Sequence, residues 1–204
     1  MTNPMQLAVR AAHRTLRDRL DLASAAMAAH AHTHEIRQKT DAFLVNSCRH
    51  TSAMCDLVLP AARLYLPNGG ARTREYVQQC RRVERVIGTA KQRMYGQAHA
   101  IDRSWSDVWA SVVEEVPLLH SLERDLVTDL ANASDVGRHP DLSFLIGSVT
   151  SSSPTRPHPN SPHTGAFAHH LRRLWARADR FWDVAEGRTL SDWVVVVERE
   201  TLAA

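Results

Sequence analysis

Residues 5–59 contain neither glycine nor proline, and apolar side chains return through them every three or four positions. Such a run favours amphipathic helices over a sheet-and-turn fold. The breaks come later. Pro67-Asn68-Gly69-Gly70 is the clearest stop signal, and residues 96–102 form another loop.

Four helices follow from this punctuation. The first, at about residues 4–29, carries Leu7, Val9, His13, Leu16, Leu20 and Ala23 on one stripe, with Pro4 suited to its first turn. The polar stretch His30-Ala-His32-Thr-His34-Glu35 makes the turn, with Thr33 as a candidate cap. The second, at about 34–66, turns Phe43, Ser47, His50, Met54, Leu57 and either Ala61 or Leu64 inward, and Pro60 is expected to kink it near Asp56. The third, at about 73–95, carries Val77, Cys80, Val83 or Glu84, Ile87, Lys91 and Met94. The fourth starts near Ser104, an N-cap with Asp107 three residues on, and buries Trp105, Val108, Trp109, Val112, Val116, Leu119, His120, Glu123, Val127 and Leu130. Pro117 is expected to kink it one turn before His120. The chain is therefore expected to be all-α, folding as an up-down-up-down four-helix bundle with short connections.

That topology makes a claim about depth. His13 lies about 17 residues before the first turn, His50 about 20 after it, and His120 about 19 after the third turn; at about 1.5 Å rise per residue all three fall at one level. Histidines converging on one layer suggest metal ligation by neutral imidazole. The plainer alternative is a set of hydrogen-bonded core histidines. Glu123 faces inward as a ligand or as a partner orienting a histidine. Glu84 borders the apolar stripe of the third helix, as a supporting carboxylate or as a solvated charge paired with Arg81. Met54 fills the position four residues after His50. Cys55 and Cys80 lie near the layer, where a thiolate would shift metal preference towards zinc.

Past residue 132 the character changes. Three units are expected: a bundle over 1–135, a Pro/Ser/His-rich linker over 136–165, and an amphipathic helix and tail over 166–204. The last helix presents Leu171, Leu174, Trp175, Ala178, Phe181 and Trp182 on one face, too apolar to stand free. It is expected to dock on the bundle, on a partner or second copy, or on a membrane surface. Four valines at 194–197 read as a short strand or an extended docking segment.

The rest of the composition excludes more than it identifies. The net charge of +3 is dispersed, with no basic stripe interleaved with aromatics, so no nucleic-acid partner is expected. No apolar stretch is long enough to span a membrane and the N-terminus shows no signal-peptide core. Three cysteines without CxxC spacing imply reduced thiols and a cytoplasmic setting. No Ser/His/Asp order, phosphate loop or nucleotide motif is present, so an enzyme is not expected.

Three segments resemble the haemerythrin-like (HHE cation-binding) family: His13-Arg-Thr-Leu16-Arg-Asp-Arg-Leu20, His50-Thr-Ser-Ala-Met54-Cys55-Asp56-Leu-Val-Leu-Pro60, and His120-Ser-Leu-Glu123-Arg124-Asp125. Pro154-Thr-Arg-Pro-His-Pro159 with Arg177-Ala-Asp-Arg-Phe181-Trp182-Asp183 is similar to the tail of such proteins from high-GC Gram-positive bacteria. The resemblance covers about residues 10–131 plus that tail. It implies a four-helix bundle with buried non-haem iron, its ligands among His13, His50, His120, Glu123 and Glu84, and a small diatomic or peroxide ligand. The departures are specific. Met54 stands where the family has its bridging glutamate, Val83, Glu84 and Ile87 where a histidine is usual, and Arg124 four residues after His120. Three histidines and one or two carboxylates suffice for one ion, not two. The expected function is iron binding, with zinc as the lesser choice, to bind or sense O2, NO or peroxide or to handle iron. The alternatives are a metal-free member acting as an interaction module and a redox-sensing thiol protein.

Overall fold

The structure, a computed structural model, describes residues 3–95, 102–133 and 153–185. Every regular element among them is helical, and no strand occurs among the described residues. The valines at 194–197 and the expected linker from 136 to 152 lie outside the described residues.

Helix α1 (Pro4–Ala28) opens as its sequence dictates. Asn3 accepts a hydrogen bond from Met5 N at 2.9 Å, and Pro4 occupies the first turn. Its buried stripe is Met5, Val9, His13, Leu16, Leu20, Ala23 and Ala26; Leu7, expected inside, is half exposed. His30 carries a positive φ in the turn that follows. Helix α2 (Thr33–Ala53) starts with His32, not Thr33, in the cap position, and no side chain caps it.

The second helix departs most from a regular 3.6-residue beat. Its continuation is a π-helical turn, Met54–Val58, in which Leu59 N–H donates to the Met54 carbonyl five residues back; helix α3 (Leu59–Tyr65) follows. Pro60 has no N–H, and its ring crowds the carbonyl four residues earlier, so a wider turn accommodates it. An inserted residue rotates everything after it by about 100°. The core therefore receives Val58, Leu59, Ala62 and Leu66, while Leu57 and Ala61 are only partly buried and Leu64 is 72% exposed.

Helix α4 (Gly69–Met94) begins four residues earlier than the sequence suggested, directly on the stop signal. Asn68 adopts the left-handed conformation, φ 56°, and Gly69 packs against α3 so closely that a Cβ there would lie 2.2 Å from the Ala62 carbonyl oxygen. Helix α5 (Trp105–Asn132) is capped by Ser104, which accepts from Asp107 N at 3.1 Å and donates to Asp107 Oδ2 at 2.6 Å. It continues through Pro117.

Helix α1 packs on α2 and α5, α5 packs on α4, and α4 returns to α3 and α2, giving a closed helical arrangement around one apolar core. Polar ties fix the register. Trp109 Nε1 donates to Ser24 Oγ at 2.9 Å, joining α5 to α1, and Gln79 Nε2 donates to Glu115 Oε2 at 2.7 Å, joining α4 to α5.

Residues 153–164 are not helical, but they are not a free spacer either. Ser153, Thr155 and His163 are buried. The strap is bonded to the last helix, α6 (Ala166–Ala185): Asp179 Oδ2 accepts from Thr155 N at 2.9 Å and Arg156 N at 3.0 Å, and Asp183 Oδ2 accepts from Thr155 Oγ1 at 2.6 Å. Arg172 and His169 of α6 reach Asp56 in the π-helical turn.

The face by which α6 docks is only partly the expected one: Leu171, Trp175 and Ala178 are half-buried. Ala168, Ala176, Asp179 and Asp183 are buried, whereas Leu174, Phe181 and Trp182, expected to dock, are exposed, as is Phe167. The aspartates can be buried because the strap brings two backbone N–H groups to Asp179 and the Thr155 hydroxyl to Asp183. No helix among the described residues is long and apolar enough to cross a membrane.

The corner between α3 and α4 gives a direct test. Gly69→Ala should cost roughly 1–3 kcal/mol in urea unfolding, because backbone must shift to admit the methyl. Gly70→Ala, whose Cβ meets only the Arg74 side chain at 3.8 Å, should cost much less.

Candidate metal centre

Helical spacing puts His13, His50 and Glu123 on the buried stripes of α1, α2 and α5, and their packing turns these stripes toward one another. At the centre is Glu123, fully buried. Its Oε2 lies 2.6 Å from His13 Nε2 and 2.9 Å from His50 Nε2, and its Oε1 accepts from Tyr76 Oη at 2.8 Å. One carboxylate thus joins α1, α2, α4 and α5. His120, one turn before Glu123, stacks on His13 with ring centroids 4.1 Å apart and planes 11° from parallel. His50 meets His13 edge-on at 5.2 Å.

The electrostatics follow from burial. Desolvation pushes His13 below its ordinary value, against the hydrogen bond and charge of Glu123, and takes His120 down to about 3. Burial alone would raise the Glu123 carboxyl. The positive charge that His50 can carry and the hydrogen bonds from His13 and His50 outweigh it and hold the group well below the ordinary carboxylate range. At neutral pH the site is an ionised carboxylate beside neutral His13 and His120. A neutral His13 whose Nε2–H donates to Glu123 leaves its Nδ1 lone pair free, and that atom is buried with no hydrogen-bond partner.

Ligand atoms of His13, His120 and Glu123 all lie within 4.8 Å of one another. Two neutral imidazoles and one carboxylate are a donor set suited to a single non-haem Fe(II) ion. The residues therefore fit one ion. Met54, fully buried four residues after His50, supplies no oxygen for a second.

The structure brings His13, His50, His120 and Glu123 together. It does not bring Glu84 to them: Glu84 Oε2 lies 2.8 Å from His163 Nε2, beside Cys80. Tyr76 is the residue that sequence reasoning passed over. It lies four positions before Cys80 and seven before Val83, so the helical stripe of those residues passes through it, while its neighbour Val77 is only partly buried. Searches against protein-family models, curated proteins and solved structures gave no match for this chain.

Two predictions follow from the buried network. Removing the Tyr76 hydroxyl leaves Glu123 Oε1 without its donor, so Tyr76→Phe should cost roughly 1–3 kcal/mol in denaturant unfolding. In chelator-treated protein, stability should fall as pH drops from about 6.5 towards 3. In that window the unfolded chain protonates His120 while the folded chain resists it, and below the ordinary carboxylate pKa the ionised Glu123 adds a loss of the same sign. Melting temperature against pH should show this slope, and His120→Phe should flatten it.

Proposed function

We propose that this chain is a haemerythrin-like metal-binding protein. In this reading α1, α2 with α3, α4 and α5 run up-down-up-down as a four-helix bundle, and a single iron ion is held by His13, His120 and Glu123. The observation that carries it is the convergence of these three buried donors within 4.8 Å. His50 and Tyr76 then act as positioning residues. Each holds the carboxylate by a hydrogen bond, and such outer contacts fix ligand orientation.

An Fe(II) ion bound there would supply a redox-active Lewis acid with open positions for O2, NO or peroxide. The residues around it supply the rest. Neutral His13 and His120 present lone pairs rather than protons, and Glu123 supplies the one negative charge among the three donors. Binding or sensing such a ligand, or handling iron, is the role this arrangement serves. The three cysteines are free and buried, which fits a reducing, cytoplasmic setting.

A second reading rests on a different observation. Glu123 already has three hydrogen-bonding partners without an ion, and α6 exposes Phe167, Leu174, Phe181 and Trp182. A metal-free interaction module would keep the histidine network for stability and use α6 as its working surface.

Anaerobic Fe(II) titration separates the two. At an Fe(II) concentration about a hundred times its dissociation constant, the metal-binding reading expects stabilisation of about 2.7 kcal/mol, or a melting-temperature rise of roughly 5–10 °C for a chain of this size. His120→Ala should abolish the rise. An unchanged melting temperature and absorbance in the native protein would establish the metal-free reading.

A further inference from the structure

A second group of donors lies outside the histidine layer, where the strap crosses the core. Cys80 and Glu84 sit one turn apart on α4, and His163 comes from the strap. Their ligand atoms lie within 4.8 Å of one another, with His163 Nε2 2.8 Å from Glu84 Oε2. His163 is only 6% exposed, and its Nδ1 is buried with no hydrogen-bond partner. A cavity of about 20 Å³ borders Cys48, Cys55, Glu84 and His163, room for one water-sized occupant.

We propose that Cys80, Glu84 and His163 form a separate site for a zinc-class divalent cation. The chemistry is that of zinc rather than of the harder ions. Sulfur, imidazole and carboxylate together are zinc ligands, and three protein ligands would leave the fourth position open. The surrounding charge permits a cation, because the two arginines at the cavity already face carboxylates: Arg172 is bonded to Asp56, and Arg156 Nη2 lies 3.5 Å from Asp183 Oδ1. Binding expels the Cys80 thiol proton to solvent, so affinity rises with pH. It also fixes the strap. The donors come from α4 and the strap, so the ion ties together two segments far apart in sequence.

Cobalt chloride added to the full-length, reduced, chelator-treated protein is the test. The expected result is a sulfur-to-cobalt charge-transfer absorption in the near-ultraviolet, abolished by equimolar zinc. It should be absent in Cys80→Ser and retained in His120→Ala, which alters only the histidine layer. Because Cys80 is buried in the core, two gentler variants accompany it. Glu84→Gln and His163→Asn, each checked for helical content by circular dichroism, should weaken zinc binding about tenfold or more. Absence of the charge-transfer band in folded native protein would overturn the proposal. So would its persistence in Cys80→Ser, or unchanged zinc affinity in both gentler variants.

Discussion

A carboxylate buried without solvent is the constraint on which this architecture turns. An isolated charge in a helical interior is too costly to persist, and it survives only if donors reach it with good geometry. Glu123 is reached by three side chains from three other helices: His13 on α1, His50 on α2 and Tyr76 on α4. Those contacts fix the depth of each helix relative to α5. An apolar core alone tolerates sliding and repacking; a carboxylate with directional bonds does not.

The same contacts shape the chemistry. Desolvation keeps His13 and His120 neutral, and the donors around Glu123 keep it ionised, so the layer presents lone pairs and one negative charge at one place. A site prepared in this way would cost little to reorganise if an ion bound there. Met54 limits the capacity. It is fully buried four residues after His50, and its thioether offers no oxygen donor there, which in the proposed reading confines the layer to one ion.

Much of the helical frame was legible in the chain because local signals agree with the tertiary result. Pro4 and Ser104 mark helix starts, and His13, His50, His120 and Glu123 fall on inward stripes at matching depths. What was not legible depends on events that a fixed period cannot express. The π-helical turn before Pro60 rotates the stripe, so Ala62 replaces Ala61 and Leu64 points outward. The docking face of α6 is set in part by a strap that brings backbone N–H groups to Asp179 and the Thr155 hydroxyl to Asp183, so hydrophobicity pointed to the half-buried Leu171, Trp175 and Ala178 but not to the buried aspartates. Glu84 meets His163 across 79 positions of chain, a pairing that no local pattern carries. Tyr76 was legible in principle, since it lies on the same helical stripe as Cys80.

The central claim is that the carboxylate at the middle of the histidine layer holds iron. Elemental analysis of full-length protein from an iron-replete host, with iron measured separately from zinc, tests it most directly. The account predicts close to one iron per chain in the native protein and its loss in Glu123→Gln. A folded native protein that carries no iron, or a Glu123→Gln variant that retains it, would contradict the account.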